Sequence, residues 1–217
     1  MQENSKTFVC PNCEHINAYK LNLPIAIACQ SCDLSYLVDE NNSTKVLNSE
    51  YRKINTISVL NLQTKGIYKG EPFQLIGFIR SVNTLSISNE WLMYFESGAY
   101  KWLTESAFRY FVFDPKPIPM SSNSVKGNTP GNTVLINSKA YVLVEITKQI
   151  DFYSSGEIPA DSYNDNSFFK YELVAKDSSD FASVCIYSQA QIDAYLGDKV
   201  QLEDLHLEKA TTFKDWI

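Results

Sequence analysis

The stretch Phe73-Gln74-Leu75-Ile76-Gly77-Phe78-Ile79 decides the fold class. It is a short run of large apolar residues, rich in the aromatic and β-branched types that pack well on a pleated surface. A run this short is a strand signature rather than a helix face. Working outward, Trp91-Leu92-Met93-Tyr94-Phe95, Tyr100-Lys101-Trp102-Leu103 and Tyr110-Phe111-Val112-Phe113 follow, with turn formers such as Ser97-Gly98 between them. Such runs, bounded by Gly, Ser and Asn, predict consecutive antiparallel strands. The chain as a whole carries 12 Phe, 13 Tyr and 3 Trp in 217 residues, an aromatic load that suits a β-rich body.

Pro115, Pro117 and Pro119, followed by the turn-rich Ser121 to Gly131, divide this body. Beyond the division the scheme repeats in Tyr141 to Ile146, Tyr171 to Ala175, Ser183 to Tyr187 and Ile192 to Leu196. Laid side by side, Phe73 to Ile79 pairs with Tyr141 to Thr147, Trp91 to Glu96 with Tyr171 to Lys176, and Tyr100 to Leu103 with Phe181 to Val184. Two explanations stand at this level: an internal duplication of a small β unit, and a chance likeness between two β meanders.

Upstream lie Cys10-Pro11-Asn12-Cys13 and Cys29-Gln30-Ser31-Cys32, separated by the 15 residues from Glu14 to Ala28. Two C-x2-C pairs at this distance supply four soft ligands on two tight turns, the spacing of a structural zinc site. Disulfides and a redox C-x-x-C are the competing readings. The first is opposed by the lack of a secretion signal, the second by the presence of two pairs with no βαβ pattern around either. Four thiolates fill a tetrahedral shell and leave no position for water, so Cys10, Cys13, Cys29 and Cys32 are expected to hold a structural Zn, with His15 outside the shell. The expected fold is therefore mainly β: an N-terminal zinc ribbon followed by an antiparallel β body, its two repeated units forming barrel-like or sandwich sheets. The expected divisions are 1–40 zinc ribbon, 41–54 linker, 55–116 first β unit, 117–136 connecting loop, 137–210 second β unit and 211–217 C-terminal tail.

Few residues of the chain suit catalysis. The two histidines are His15 and His206, the latter in an alternating Leu205-His206-Leu207 that reads as an edge strand among acids. Cys185 sits in the strand-like Ser183 to Tyr187, where a thiol behaves as a small buried hydrophobe. No P-loop, G-x-G-x-x-G or G-x-S-x-G occurs. Glu96, Glu105, Glu157 and Asp161 could meet in space as an acid pair, which sequence cannot show. No catalytic and no cofactor-binding residue is therefore assigned, and the chain is expected not to be an enzyme.

Net charge is −6, which argues against general attraction to nucleic acid. Residues 1 to 40 are net −3, while Lys45, Arg52, Lys53, Lys65, Lys69 and Arg80 against Glu50 and Glu71 make residues 45 to 80 net +4. That segment is the one candidate for a basic face. Met1 to Thr7 are polar and lack the pattern of a leader, and the longest apolar stretches, such as Leu23 to Cys29, are far shorter than the roughly 20 residues of a membrane span. A cytoplasmic protein with no transmembrane segment is expected.

The order Phe73-Gln74-Leu75-Ile76-Gly77, Glu90-Trp91-Leu92-Met93-Tyr94, Tyr100-Lys101-Trp102-Leu103, Gly156-Glu157-Ile158-Pro159 and Tyr195-Leu196-Gly197 resembles the bacterial domain of unknown function 4178, over residues 55 to 207. Members of that family often carry an N-terminal zinc ribbon. The resemblance implies a β-rich, non-enzymatic module working beside membrane-stress or polyamine-linked proteins, with no catalytic residue to carry over. The expected function is thus a protein-binding accessory or adaptor with a membrane-associated protein partner, peripheral to the inner membrane. The alternatives are a nucleic-acid-binding zinc-ribbon protein and an enzyme with a carboxylate or cysteine site.

Overall fold

A computed structural model describes residues 6–47, 58–83, 86–106, 109–125, 127–149, 151–162, 167–178 and 180–208. The N-terminal part contributes β1 (Lys6–Val9), β2 (Ile16–Tyr19), β3 (Ile25–Ala28), β4 (Ser35–Val38) and β5 (Thr44–Val46). The first body unit holds β6 (Lys65–Tyr68), β7 (Glu71–Val82), β8 (Ile87–Phe95), β9 (Tyr100–Ser106) and β10 (Arg109–Phe113). Between the units lie β11 (Ile118–Pro119) and a single helical turn, α1 (Ser122–Val125). The second unit follows with β12 (Thr133–Ile136), β13 (Lys139–Gln149), β14 (Asp151–Pro159), β15 (Phe168–Ala175), β16 (Asp180–Ile186) and β17 (Ile192–Val200), then a short 3-10 helix at Leu202–Leu205. The protein is mainly β and its pairings are antiparallel, as the aromatic-rich runs predict.

β1 and β2 stand as a hairpin of their own. The other strands form one path in the order β12-β13-β15-β16-β17-β10-β9-β8-β7-β14-β3-β4-β5, with β6 beside β7 and β11 beside β17. Among the described residues this path does not close into a barrel. The two body units are joined where β10 pairs with β17, and the N-terminal strands are joined to the body by β14, whose first part pairs with β7 and whose last part pairs with β3.

The pairing registers decide between duplication and coincidence. β7 is shifted against β8 between Leu75 and Gly77, and β13 is shifted against β15 between Leu143 and Glu145, the same two positions in the aligned repeats. The hairpin entering each unit turns on two consecutive positive-φ residues, Lys69-Gly70 in the first and Asn137-Ser138 in the second. Around each bulge the same backbone bonds recur. Gln63 N–H donates to Leu75 O and Leu75 N–H to Thr64 O; Gly131 N–H donates to Leu143 O and Leu143 N–H to Asn132 O. Asn61 N–H bonds the Thr64 hydroxyl, as Thr129 N–H bonds the Asn132 side-chain carbonyl. A chance likeness of two meanders would not reproduce bulge, turn and loop bonds at one offset, so the body is a duplicated β unit. β14 is the departure: it is extra chain between β13 and β15 that leaves the second unit to pair with the first.

Each unit has its own core. Tyr68, Phe73, Leu75, Trp91, Met93 and Leu103 fill the first, and Ile136, Tyr141, Leu143, Leu173, Val184 and Ala194 the second. A third core unites the opposite face of the first unit (Ile76, Ile79, Leu92, Trp102, Phe111, Phe113) with Phe181 and with Tyr19, Leu21, Ile25 and Tyr36 of the N-terminal module.

Within residues 41–54, β5 pairs with β4, and residues 48–54 lie outside the described set. Residues 117–136 carry β11, α1 and β12. His206 corrects one expectation. It does not sit on an edge strand; it is the left-handed cap of the Leu202–Leu205 3-10 helix, at φ 41. Alternation over three residues cannot distinguish a strand from the end of such a turn.

Candidate metal centre

Each knuckle is built by a reverse turn that brings two thiols to one point. Cys10 N–H donates to His15 O and Glu14 N–H to Cys10 O; Cys29 N–H donates to Leu34 O and Asp33 N–H to Cys29 O. The residue after each second cysteine, Glu14 at φ 59 and Asp33 at φ 58, takes the left-handed conformation that reverses the chain. The two turns are therefore copies of each other in geometry as well as in spacing.

The four Sγ atoms of Cys10, Cys13, Cys29 and Cys32 all lie within 4.8 Å of one another. Cys10 Sγ is 3.7 Å from Cys32 Sγ, and Cys13 Sγ is 3.6 Å from Cys29 Sγ. Sulfurs at the corners of a tetrahedron with metal–sulfur bonds of about 2.3 Å are separated by about 3.8 Å, so these separations fit an ion between them. They are too long for disulfides, and the thiols are free. Together the four cysteines could hold a metal ion.

The surroundings of the sulfurs are polar where they need to be. Asn17, fully buried on β2, bridges the knuckles: its amide donates to Cys29 Sγ at 3.5 Å and to His15 O at 3.1 Å, and its carbonyl accepts from Gln30 N–H at 2.9 Å. The Tyr36 hydroxyl lies 3.4 Å from Cys10 Sγ. Burial raises the Cys10 thiol, but its hydrogen bonds with Tyr36 and with the Cys13 and Asn12 backbone outweigh this and bring it down to about 6. At Cys13 the His15 backbone bond favours the thiolate, yet burial and the three neighbouring sulfurs prevail and push the thiol up to about 11. Four sulfurs in one shell thus hold protons against one another, and a dication removes that conflict. His15 is exposed, and its backbone carbonyl, not its ring, serves the site. Sequence reading does not reach Asn17 or Tyr36, which act through neighbouring strands.

The module is fastened to the body by a buried carboxylate. Glu157 on β14 accepts hydrogen bonds from Lys20 N–H at 2.7 Å and Leu21 N–H at 3.0 Å. Burial raises its carboxyl above the usual range, while these two bonds and the Lys20 charge pull the other way. Lys20 Nζ also donates to the Gln74 side chain on β7.

The other residues singled out from sequence are placed apart from this centre. Cys185 is buried on β16 beside Lys170, and burial, only partly offset by the lysine charge, pushes its thiol up to about 11. Glu105 accepts from Asn89 Nδ2 at 2.9 Å and from Trp91 Nε1 at 3.4 Å, and Glu157 is committed to the backbone of residues 20 and 21. In the 45 to 80 segment, Lys69 is paired with Asp198 at 2.6 Å and Arg80 Nε donates to Asn89. Arg52 and Lys53 lie outside the described residues. Among the described residues no helix is long and apolar enough to cross a membrane. Compared with known proteins, the chain matches no family model, no curated protein and no solved structure.

Proposed function

We propose that this chain is a non-catalytic zinc-binding β protein that works by binding another protein, as an accessory or adaptor. The observation that carries the reading is the closed set of four cysteine sulfurs. Its donors are all thiols, at separations suited to a tetrahedral ion, and no open position is left for a reacting water. All-sulfur shells select zinc over magnesium, calcium or manganese, which take oxygen. Outside the centre, Cys185 is held as a neutral thiol by burial, which speaks against a cysteine nucleophile. Pairing of Lys69 with Asp198 weakens the one basic segment and with it the nucleic-acid alternative. The resemblance to domain of unknown function 4178 supports a partner in a bacterial membrane-stress or polyamine-linked system, engaged in the cytoplasm at the inner membrane.

Two measurements test this. Metal analysis of purified protein is expected to give one zinc per chain, and a value far below one overturns the metal assignment. Affinity purification from the native host under gentle conditions is expected to recover a protein partner; recovery of nucleic acid alone, or of no macromolecule, overturns the adaptor role.

A further inference from the structure

The duplicated units meet in a way their common frame does not explain by itself. The body sheet curls through β17 and β10, where Gly197 leaves room for Phe113: a Cβ on this glycine would come 2.7 Å from the Phe113 ring and 2.8 Å from Val112 O. Phe181 stacks on Phe111 at 4.2 Å between ring centroids and meets Phe113 edge-on at 5.9 Å. This curl brings β8 and β15, five steps apart on the strand path, into side-chain contact. There Lys170 Nζ donates to Glu90 Oε1 at 3.0 Å, with the lysine side chain 7% exposed and the glutamate 27%.

Glu90 and Lys170 are the same position of the two repeats. The alignment that pairs Trp91 with Tyr171 pairs Glu90 with Lys170, and each side chain has equivalent neighbours. Glu90 lies between Ile79 and Thr104, and Lys170 between Thr147 and Cys185. A residue that meets its own counterpart in a pair of related units sits at their twofold axis. Were the two units identical here, two carboxylates or two ammonium groups would face each other in a poorly hydrated seam, a costly arrangement.

We infer that the body is a fused pseudo-dimer whose seam is specific for unlike units: Glu90 and Lys170 form the key by which the first unit accepts the second and rejects a copy of itself. The occupant that fits the seam face of the first unit is thus the second unit of the same chain, which sits there. The seam faces around the key have diverged in the same sense. Ile79, Leu92, Trp102 and Phe111 on the first unit answer to Thr147, Glu172, Ser183 and Asp193 on the second, apolar against polar at matched positions.

The test is a charge swap in the full chain, read by urea unfolding and by light scattering after gel filtration. Glu90→Lys and Lys170→Glu are each expected to lower the folding equilibrium constant by roughly 100-fold or more, because each buries like charges at the axis. The double swap is expected to return to within about tenfold of the parent and to keep the parent's oligomeric state, since the pair is rebuilt with its ends exchanged. If the double variant is no more stable than the weaker single one, the key is overturned. Should the reversals fail to fold, Glu90→Gln, Lys170→Met and their combination give the same information as a double-mutant cycle. Coupling of about tenfold or more supports the key, and coupling below about threefold overturns it.

Discussion

The two body units share a frame and differ in what covers them. On the first unit, β7 reads as a nearly unbroken buried run from Phe73 to Ile79, because one face lies on the unit's own core and the other on the cysteine module and the seam. On the second unit, β13 alternates: Tyr141 and Leu143 are buried while Val144 is 44% exposed. Ile76 and Val144 occupy the same place at the same bulge, and Ile76 is only 3% exposed. A strand covered on both sides loses its polar positions, and one with a wet face keeps them. The lesson is that burial on one unit was added by docking, not by the fold of the unit itself.

A single pair of residues explains why docking happens on one unit. Gly77 at the first bulge lets β14 approach so closely that a Cβ there would lie 2.0 Å from Glu157 O; Gly156 opposite, at φ 73, would clash with Ile76 O at 2.2 Å if it had one. The second unit carries Glu145 where the first has Gly77. A side chain at that place closes off the approach β14 makes, and on an edge that no described strand pairs a charge also discourages pairing with other chains.

The largest expected effect separates the units by metal. If the proposed zinc is bound, Cys10→Ser or a chelator is expected to withdraw on the order of 10 kcal/mol of binding free energy from the module. In hydrogen exchange, protection should fall over residues 8–38, the end of β14 and the adjoining part of β7, while β13, β15 and β16 keep theirs. Uniform loss across both units would mean that the module supports both alike.

Next in size, Leu75→Ala and Leu143→Ala remove fully buried side chains at equivalent bulges, and each is expected to cost about 3 kcal/mol in urea unfolding. Ile76→Ala and Val144→Ala should then diverge, the first costing about 3 kcal/mol and the second about 0.5 kcal/mol, because only the first is covered. Equal losses at residues 76 and 144 would mean the second unit has a cover as well.

Gly77→Ala forces a methyl into the Glu157 backbone and should destabilise by about 2 kcal/mol or more, with exchange increasing in β3 and β14. Glu145→Gly, the reverse change on the open edge, is expected to cost about 1 kcal/mol or less. A neutral Gly77→Ala would remove the steric account of one-sided docking.

The smallest effect is a pH dependence. The raised carboxyl of Glu157 means that the folded protein holds this proton more tightly than the unfolded chain does. Its contribution is most favourable below the unfolded pKa and declines as pH rises toward the folded one. Glu157→Gln should flatten that decline in the urea midpoint above pH 4.5, and an unchanged slope would assign it to other groups.

Much of this was legible in residue order. The spacing of Cys10, Cys13, Cys29 and Cys32 required two knuckles at one point, since C-x2-C turns act over a few residues. The aromatic runs required strands, and the alignment of Phe73 to Ile79 with Tyr141 to Thr147 already held the correct register. All of these are short-range patterns, set by the chain's own geometry. Tertiary structure alone decided the rest: that Asn17 joins the knuckles, that Glu157 fastens the module to the body, that β14 leaves one unit for the other, and that Glu90 meets Lys170. Those contacts depend on which faces are brought together across long separations in sequence. Nothing local in a glutamate or a lysine distinguishes one left in water from one buried against its counterpart.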